Sequence, residues 1–359
     1  MGFHEAGAEI LEVPEVDWAE GLTYATGSKK LKHWRTRTWE TTLKFVKETQ
    51  VKKGIDLFVG YLYPNQVEVS AVLEMRRLGI KCVNFFCDNI REFKTVPTEY
   101  SPFDLHWVPE YEALEMYRRA GLPHIHAPMP CWLPKKYRSI AKHENPSVVF
   151  IGSSDLLRKD LLGNAIEMGG KILVYGRGWK TRYNMGLNKK SADTKNFVRN
   201  QWLYLKKHGV AGLSSKLFNK LWPLEEKKIN TASLGPEISS EDYIRITRES
   251  SIILGVNRVQ SPFRPLRYPL KYSRLRDIEA PMLGACYLTE WTYGLSLLYK
   301  NGEEIETYKT AEEMLDKTRE LLKNPGKRKN LRFKGQQRAL RDHCISKTIK
   351  KIITFLSIK

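Results

Sequence analysis

The chain has 359 residues, with 60 lysines and arginines against 40 aspartates and glutamates and a formal charge of +20. That length exceeds what one hydrophobic core supports, and a 42% hydrophobic share excludes a disordered chain, so two globular domains are expected. The positive field would attract phosphates, nucleic acid or an anionic membrane face.

Five cysteines without a C-x-x-C pair signal neither a zinc site nor a disulfide framework, which fits a reducing cytoplasm. No apolar run reaches the roughly 18–20 residues that span a bilayer, and the opening MGFHEAGAEI lacks the basic-then-apolar order of a signal peptide.

In chain order, MGFHEAG reads as the end of a helix, as though the opening strand and glycine turn of a doubly wound domain were missing. The run from Ala8 to Val13 is expected to be a strand closed by Pro14. A basic and aromatic helix follows from about Trp34 to Lys52, then a buried strand over Ile55–Tyr61 and a helix over Val67–Leu78 stopped by Gly79. A strand over Lys81–Phe86 gives way to a polar turn at Cys87–Asn89. Strand Leu105–Val108 and helix Glu110–Ala120 complete a first α/β domain, residues 1–126.

Residues 127–145, rich in proline and charge, are the expected linker. A second domain, 146–330, opens with strand Ser147–Ile151, turn Gly152–Asp155, helix Leu156–Met168, strand Lys171–Tyr175 and a glycine turn at Gly176–Trp179. A basic and aromatic insertion occupies 180–236. The alternation resumes with helix Ser240–Glu249, strand Ser251–Val256, helix Leu275–Leu283, strand Cys286–Thr289, helix Ala311–Lys323 and a terminal helix near Arg332–Leu356, within a segment 331–359.

Parallel strands put their carboxyl-end loops at one edge, where unpaired backbone N–H groups favour anions. Gly152 and Ser153 occupy one such turn, with Arg158 a turn into the following helix, and Gly176 and Gly178 occupy the next. Arg276 and Glu279 stand at i and i+3, on one helix face. A carboxylate there can accept from a ribose diol, and an arginine fork can hold a diphosphate. Asp88, after the strand VNFF, is a candidate general base or a turn cap. His106, His124 and His126 lack metal-ligand spacing and are read as structural, and no Asp-x-Asp pair is present to hold a divalent ion.

The order VVFIGSS, VYGRGW, EDYIRITRESSIILGVNR and then Arg276, Glu279–Ala280, Gly284, Leu288–Thr289, Gly294, Tyr299, Gly302–Glu303 and Asn324–Pro325 resembles the CgeB-like (spore-maturation type) glycosyltransferases, over about 147–344. The resemblance implies the GT-B fold, two Rossmann-like doubly wound domains facing a central cleft. It also implies a nucleotide-sugar donor held mainly by the second domain through Gly152, Ser153, Arg158, Gly176, Gly178, Asn257, Arg276 and Glu279. In related enzymes with a Glu-x7-Glu motif the second glutamate binds ribose, and Glu279 matches it. The first glutamate's position is Lys271.

The expected function is therefore transfer of a sugar from a nucleoside diphosphate to an acceptor such as an envelope or membrane-linked glycan or a protein. Asp88 would lie on the acceptor side, and no cofactor or obligatory metal is expected. Aromatics among the lysines of the insertion (Tyr183, Phe197, Trp202, Tyr204, Phe218, Trp222) suit an anionic membrane surface, placing the protein on the inner face of the membrane. They also suit base stacking, so a nucleic-acid-binding protein is one alternative and a catalytically silent GT-B scaffold another.

Overall fold

The computed structural model describes residues 1–180 and 194–358, without the side chains of 194–204 and 206–208. The chain forms two compact units, Met1–Trp132 together with His343–Lys359, and Leu133–Asp342.

Unit 1 begins with α1 (Gly2–Glu5) and the long α2 (Lys29–Lys52), whose first turn is capped by the Ser28 hydroxyl accepting from Leu31 N–H. There follow β1 (Leu57–Tyr61), α3 (Val69–Arg77), β2 (Lys81–Phe85), α4 (Asn89–Glu92), β3 (Leu105–Val108), α5 (Leu114–Arg119) and β4 (His124–His126). The strands form one parallel sheet in sequence order, with Val83 opposite both Val59 and Leu105. One core gathers Trp39, Met75, Cys82 and Phe86; a second holds Val83, Phe85, Leu105 and Trp107.

Unit 2 comprises β5 (Asn145–Ile151), α6 (Leu156–Glu167), β6 (Leu173–Tyr175), α7 (Thr194–Leu221), α8 (Ser240–Glu249), β7 (Ser250–Gly255), the antiparallel pair β8 (Arg258–Val259) and β9 (Leu270–Lys271), α9 (Leu275–Met282), β10 (Tyr287–Glu290), α10 (Leu295–Leu298), β11 (Glu306–Tyr308), α11 (Ala311–Lys323) and α12 (Pro325–Asp342). Its parallel sheet runs β11-β10-β7-β5-β6. The connection from β5 to β6 moves one way across the sheet and that from β7 to β10 the other. The switch between β5 and β7 opens a crevice at their carboxyl ends. Every residue of β7 is buried, as befits a central parallel strand. Leu161, Leu162 and Ala165 of α6 share the main core with Met314, Leu315 and Leu321 of α11.

Both units are Rossmann-like α/β layers, as the alternation of strands and helices predicts. Some details differ. The expected strand at Ala8–Val13 is not one: Ile10 and Leu11 are exposed and the segment joins no ladder. Strands β4 and β11 escape the sequence reading because each is three residues at a sheet edge, too short to show a period. The expected single terminal helix is two, α12 and then α13 (Ile345–Phe355), which belongs to unit 1. Of the insertion, Tyr183 and the side chains of Phe197, Trp202 and Tyr204 lie outside the described residues. Among the described residues no helix is long and apolar enough to cross a membrane.

Ile349 and Ile352 of α13 are fully buried against Val83, Leu105 and Trp107. Ile349→Ala should therefore cost about 2–5 kcal/mol, seen as a lower urea midpoint with an unchanged slope. A midpoint equal to wild type would mean that α13 is not part of that core.

Candidate functional site

At the carboxyl end of β5 the chain turns through Gly152, Ser153 and Ser154 into α6, whose N-cap Asp155 accepts from Arg158 N–H at 2.9 Å. The turn after β6 packs on it. Gly152 N–H donates to Tyr175 O and Ser154 N–H to Arg177 O, both at 2.9 Å, and Trp179 Nε1 donates to Gly152 O at 2.8 Å. Gly176 has φ +126°, and a Cβ there would stand 2.3 Å from Gly152 O, so only glycine lets the two turns meet. Gly178 lies against Ser154 in the same pair of turns.

Arg158 reaches back from α6 to donate to Ser153 O at 2.7 Å and to Ser153 Oγ at 3.2 Å. Burial lowers its pKa; Asp155 opposes that shift, and the guanidinium groups of Arg274 and Arg276 add to it. Positive charge from Arg274 and Arg276 thus acts on Arg158 at the N-terminus of α6, which favours an anion there.

Arg274 and Arg276 are carried by the start of α9, which is pinned by Asp277. This carboxylate is fully buried, accepting from Arg274 N–H at 3.0 Å, Tyr287 Oη at 2.8 Å and Thr289 Oγ1 at 2.9 Å. Burial raises its pKa despite those bonds. Gly255 makes the arrangement possible, since a Cβ on it would meet Tyr287 Oη at 2.1 Å and Thr289 Oγ1 at 2.2 Å.

Arg276 and Glu279 share a face as expected, and they are joined through a residue that the helix spacing does not reveal. Tyr243 of α8 donates its hydroxyl to Glu279 Oε2 at 2.5 Å and accepts from Arg276 Nη1 at 2.6 Å, while the guanidinium lies 4.6 Å from its ring centre. Tyr243 holds one carboxylate oxygen and one edge of the arginine fork. Glu279 is half-buried, and the hydrogen bond from Tyr243 engages its Oε2.

Asn257, expected with the donor-binding residues, is placed otherwise. It is buried, and its Nδ2 donates to Glu290 O at 2.9 Å and Thr289 Oγ1 at 3.3 Å, strapping the end of β7 to β10. Lys271, at the position of the first glutamate, pairs with Glu290 at 2.8 Å, and Arg258 bonds the same carboxylate at 2.7 Å. Glu290 has no exposure. Burial, the largest influence, would raise its pKa, but Arg258 and then Lys271 outweigh it and hold the carboxyl below its ordinary range. Lys271 thus supplies counter-charge to a buried acid.

In unit 1, Asp88 stands at the end of β2 as the N-cap of α4, but its carboxylate does not cap the helix; it pairs with Arg91 at 3.8 Å and is 20% exposed. The turn is held by Glu110, which the sequence reading passes over. Glu110 Oε2 accepts from Asn89 N–H at 3.0 Å and Asn89 Nδ2 at 2.6 Å, and Tyr117 Oη donates to Asn89 Oδ1 at 2.8 Å. Burial pushes the Glu110 carboxyl up to about 8. His106 is enclosed by Tyr100, Phe103 and Tyr117, and burial brings it down to about 3, so it is a core residue.

A family model described as glycosyl transferase-like matches residues 158–354, from Arg158 through the whole of the α9 region and more than half of the chain. The chain belongs to this glycosyl transferase-like family. Among solved structures, the likeness covers 89% of this chain and 82% of HepE from Anabaena in complex with UDP, at 12% identity and a TM-score of 0.53. It covers 92% of this chain and 82% of a glycosyltransferase from Rickettsia africae ESF-5 at 13% identity and 0.50, and 88% and 58% for TarM at 11% and 0.51. No curated protein matches. At these identities the likeness establishes the fold, which is GT-B, for this glycosyl transferase-like chain.

Removing the Arg258 side chain leaves the buried Glu290 carboxylate with Lys271 and two backbone N–H groups but without its closest cation, so Arg258→Ala should lose about 3–5 kcal/mol at neutral pH. A carboxyl held below its ordinary value contributes stability above that value and loses it as pH falls through the lowered one. The gap between wild type and variant should accordingly narrow in acid. Urea unfolding at neutral and acid pH reads both; a gap that is absent, or that widens in acid, contradicts the pairing.

Proposed function

We propose that this chain transfers a sugar from a nucleoside diphosphate sugar to a hydroxyl or amine of an acceptor, with the donor held by unit 2. The observation that carries the reading is the packing of the two glycine turns at the N-terminus of α6, with Arg158 bonded into the first of them, together with the Arg276–Tyr243–Glu279 set on α9 and α8. Peptide N–H groups and three guanidinium groups suit a diphosphate and would stabilise the charge that develops on it as the glycosidic bond breaks. The same cations take the part that an obligatory metal plays elsewhere. Glu279 Oε1 would accept from the ribose diol while Tyr243 holds the other oxygen in place.

The HepE structures hold UDP or UDP-glucose, which supports a uridine nucleotide as the first donor class to test. The motif order supports the finer kinship with CgeB-like proteins and, with it, an envelope or membrane-linked glycan as acceptor. On the acceptor side, Asp88 would serve as general base, presented by a turn that Glu110 and Asn89 hold firm.

Calorimetry with UDP and other nucleoside diphosphates tests the donor site. Glu279→Ala should weaken nucleotide binding by about 1–3 kcal/mol, through lost charge-assisted bonds to ribose. Equal affinity in a folded variant would remove Glu279 from the site, and failure of every nucleotide to bind wild type would remove the donor reading altogether.

The base is tested separately. Asp88→Asn keeps the side chain's shape and should leave nucleotide affinity unchanged while turnover, followed as diphosphate release, falls by about 10²–10⁴. Turnover within a few-fold of wild type would assign the proton to another group.

A further inference from the structure

The second half of α7 is turned inside out. After the break at Gly209, where φ is +65° and ψ −170°, the helix runs to Leu221. The side chains it turns toward the body of unit 2 are small or polar: Gly212 and Ser215 are buried, and Asn219 Oδ1 accepts from Leu266 N–H at 2.8 Å. Its large apolar residues face outward. Leu213, Leu217 and Leu221 recur at every fourth position, hence on one face, with Val210 one turn earlier. They are 38%, 57%, 59% and, for Val210, 76% exposed. Trp222, 52% exposed, and Tyr268, 64% exposed, flank the end of this row and are bridged by Phe218, whose ring lies 4.8 Å and 6.0 Å from theirs.

A soluble helix buries such a stripe, and a contiguous exposed one marks a contact surface. Charge selects the partner. From residue 194 to 222 there are six lysines and arginines and no aspartate or glutamate, and exposed Lys216 and Lys220 sit beside the leucines. A second copy of the chain would oppose this positive surface with its own, in a protein that already carries +20. Anionic lipid headgroups neutralise the lysines while the leucines enter the acyl boundary and the aromatic rings rest at headgroup level.

We infer that the outward face of α7 from Val210 to Leu221, together with the adjoining Trp222, is a docking surface for an anionic lipid bilayer, on which it lies flat. The inference stands independently of the transfer reaction, because it uses no residue of the donor site.

The test is sedimentation of the full-length protein with phosphatidylcholine vesicles, with and without phosphatidylglycerol. Wild type should pellet with the anionic vesicles and remain in the supernatant with the neutral ones. The combined variant Leu213→Gln, Leu217→Gln, Leu221→Gln should bind anionic vesicles about tenfold or more weakly, since three insertable side chains are lost. Its thermal midpoint should stay close to wild type, because Leu217 and Leu221 are more than half exposed and Leu213 more than a third. Lys216→Glu with Lys220→Glu should weaken binding with the leucines intact, and added salt should weaken wild type. Undiminished binding by the leucine variant, or no binding by wild type, overturns the inference. A wild-type dimer that the leucine substitutions dissociate, without vesicle binding, would assign the face to a second copy instead and likewise overturn it.

Discussion

Asp277 is the point on which the rest of the site hangs. A carboxyl group without solvent exposure is costly unless its oxygens are bonded, and this one is bonded by a backbone N–H at the start of α9 and by two hydroxyls on β10. Those bonds join the first turn of a helix to the strand beyond it. Because α9 cannot rotate or slide without breaking them, Arg274, Arg276 and Glu279 are presented at fixed positions. The missing side chain at Gly255 is the other half of the arrangement, since it admits Tyr287 and Thr289 to the acid.

Two kinds of charge group stand close together in unit 2 and behave differently. Glu290, Arg258 and Lys271 form a set in which two cations pair with one buried acid, and Arg258 also faces Asp160 at 3.7 Å. Arg158, by contrast, is compensated only in part by Asp155, and the guanidinium groups of Arg274 and Arg276 add to the lowering of its pKa. Electrostatics therefore separates the structural ion pair from the candidate anion site, although both are made of arginine beside a strand end. The departure at Lys271 gains a physical account in the same terms, because the residue answers an acid that lies 19 positions further along the chain.

Unit 1 places its buried polar groups under the Asp88 turn. The carboxyl of Glu110 bonds both the backbone and the side chain of Asn89, and Tyr117 completes the set. Such a network makes the turn rigid at the cost of burying an acid whose pKa rises accordingly. A turn built this way holds Asp88 without using its carboxylate as the cap.

The sequence by itself determined the class of fold and the location of the glycine turns after β5 and β6. Buried strands such as β7 and amphipathic helices such as α8 and α11 write their period into consecutive residues, and Gly152, Gly176 and Gly178 follow strands where a sheet must turn. The i, i+3 pair Arg276 and Glu279 was legible for the same reason, being local. Tertiary structure alone decided what those residues touch. Tyr243 reaches Glu279 across 36 positions and Glu290 reaches Arg258 across 32, separations over which no periodicity carries information. It also withdrew Asn257 into the core, brought α13 back to unit 1, left Ala8–Val13 without a sheet to join, and turned the leucines of α7 outward. Each of these depends on whether a partner surface exists at that place, and a partner surface is made by the folded chain rather than by neighbours in sequence.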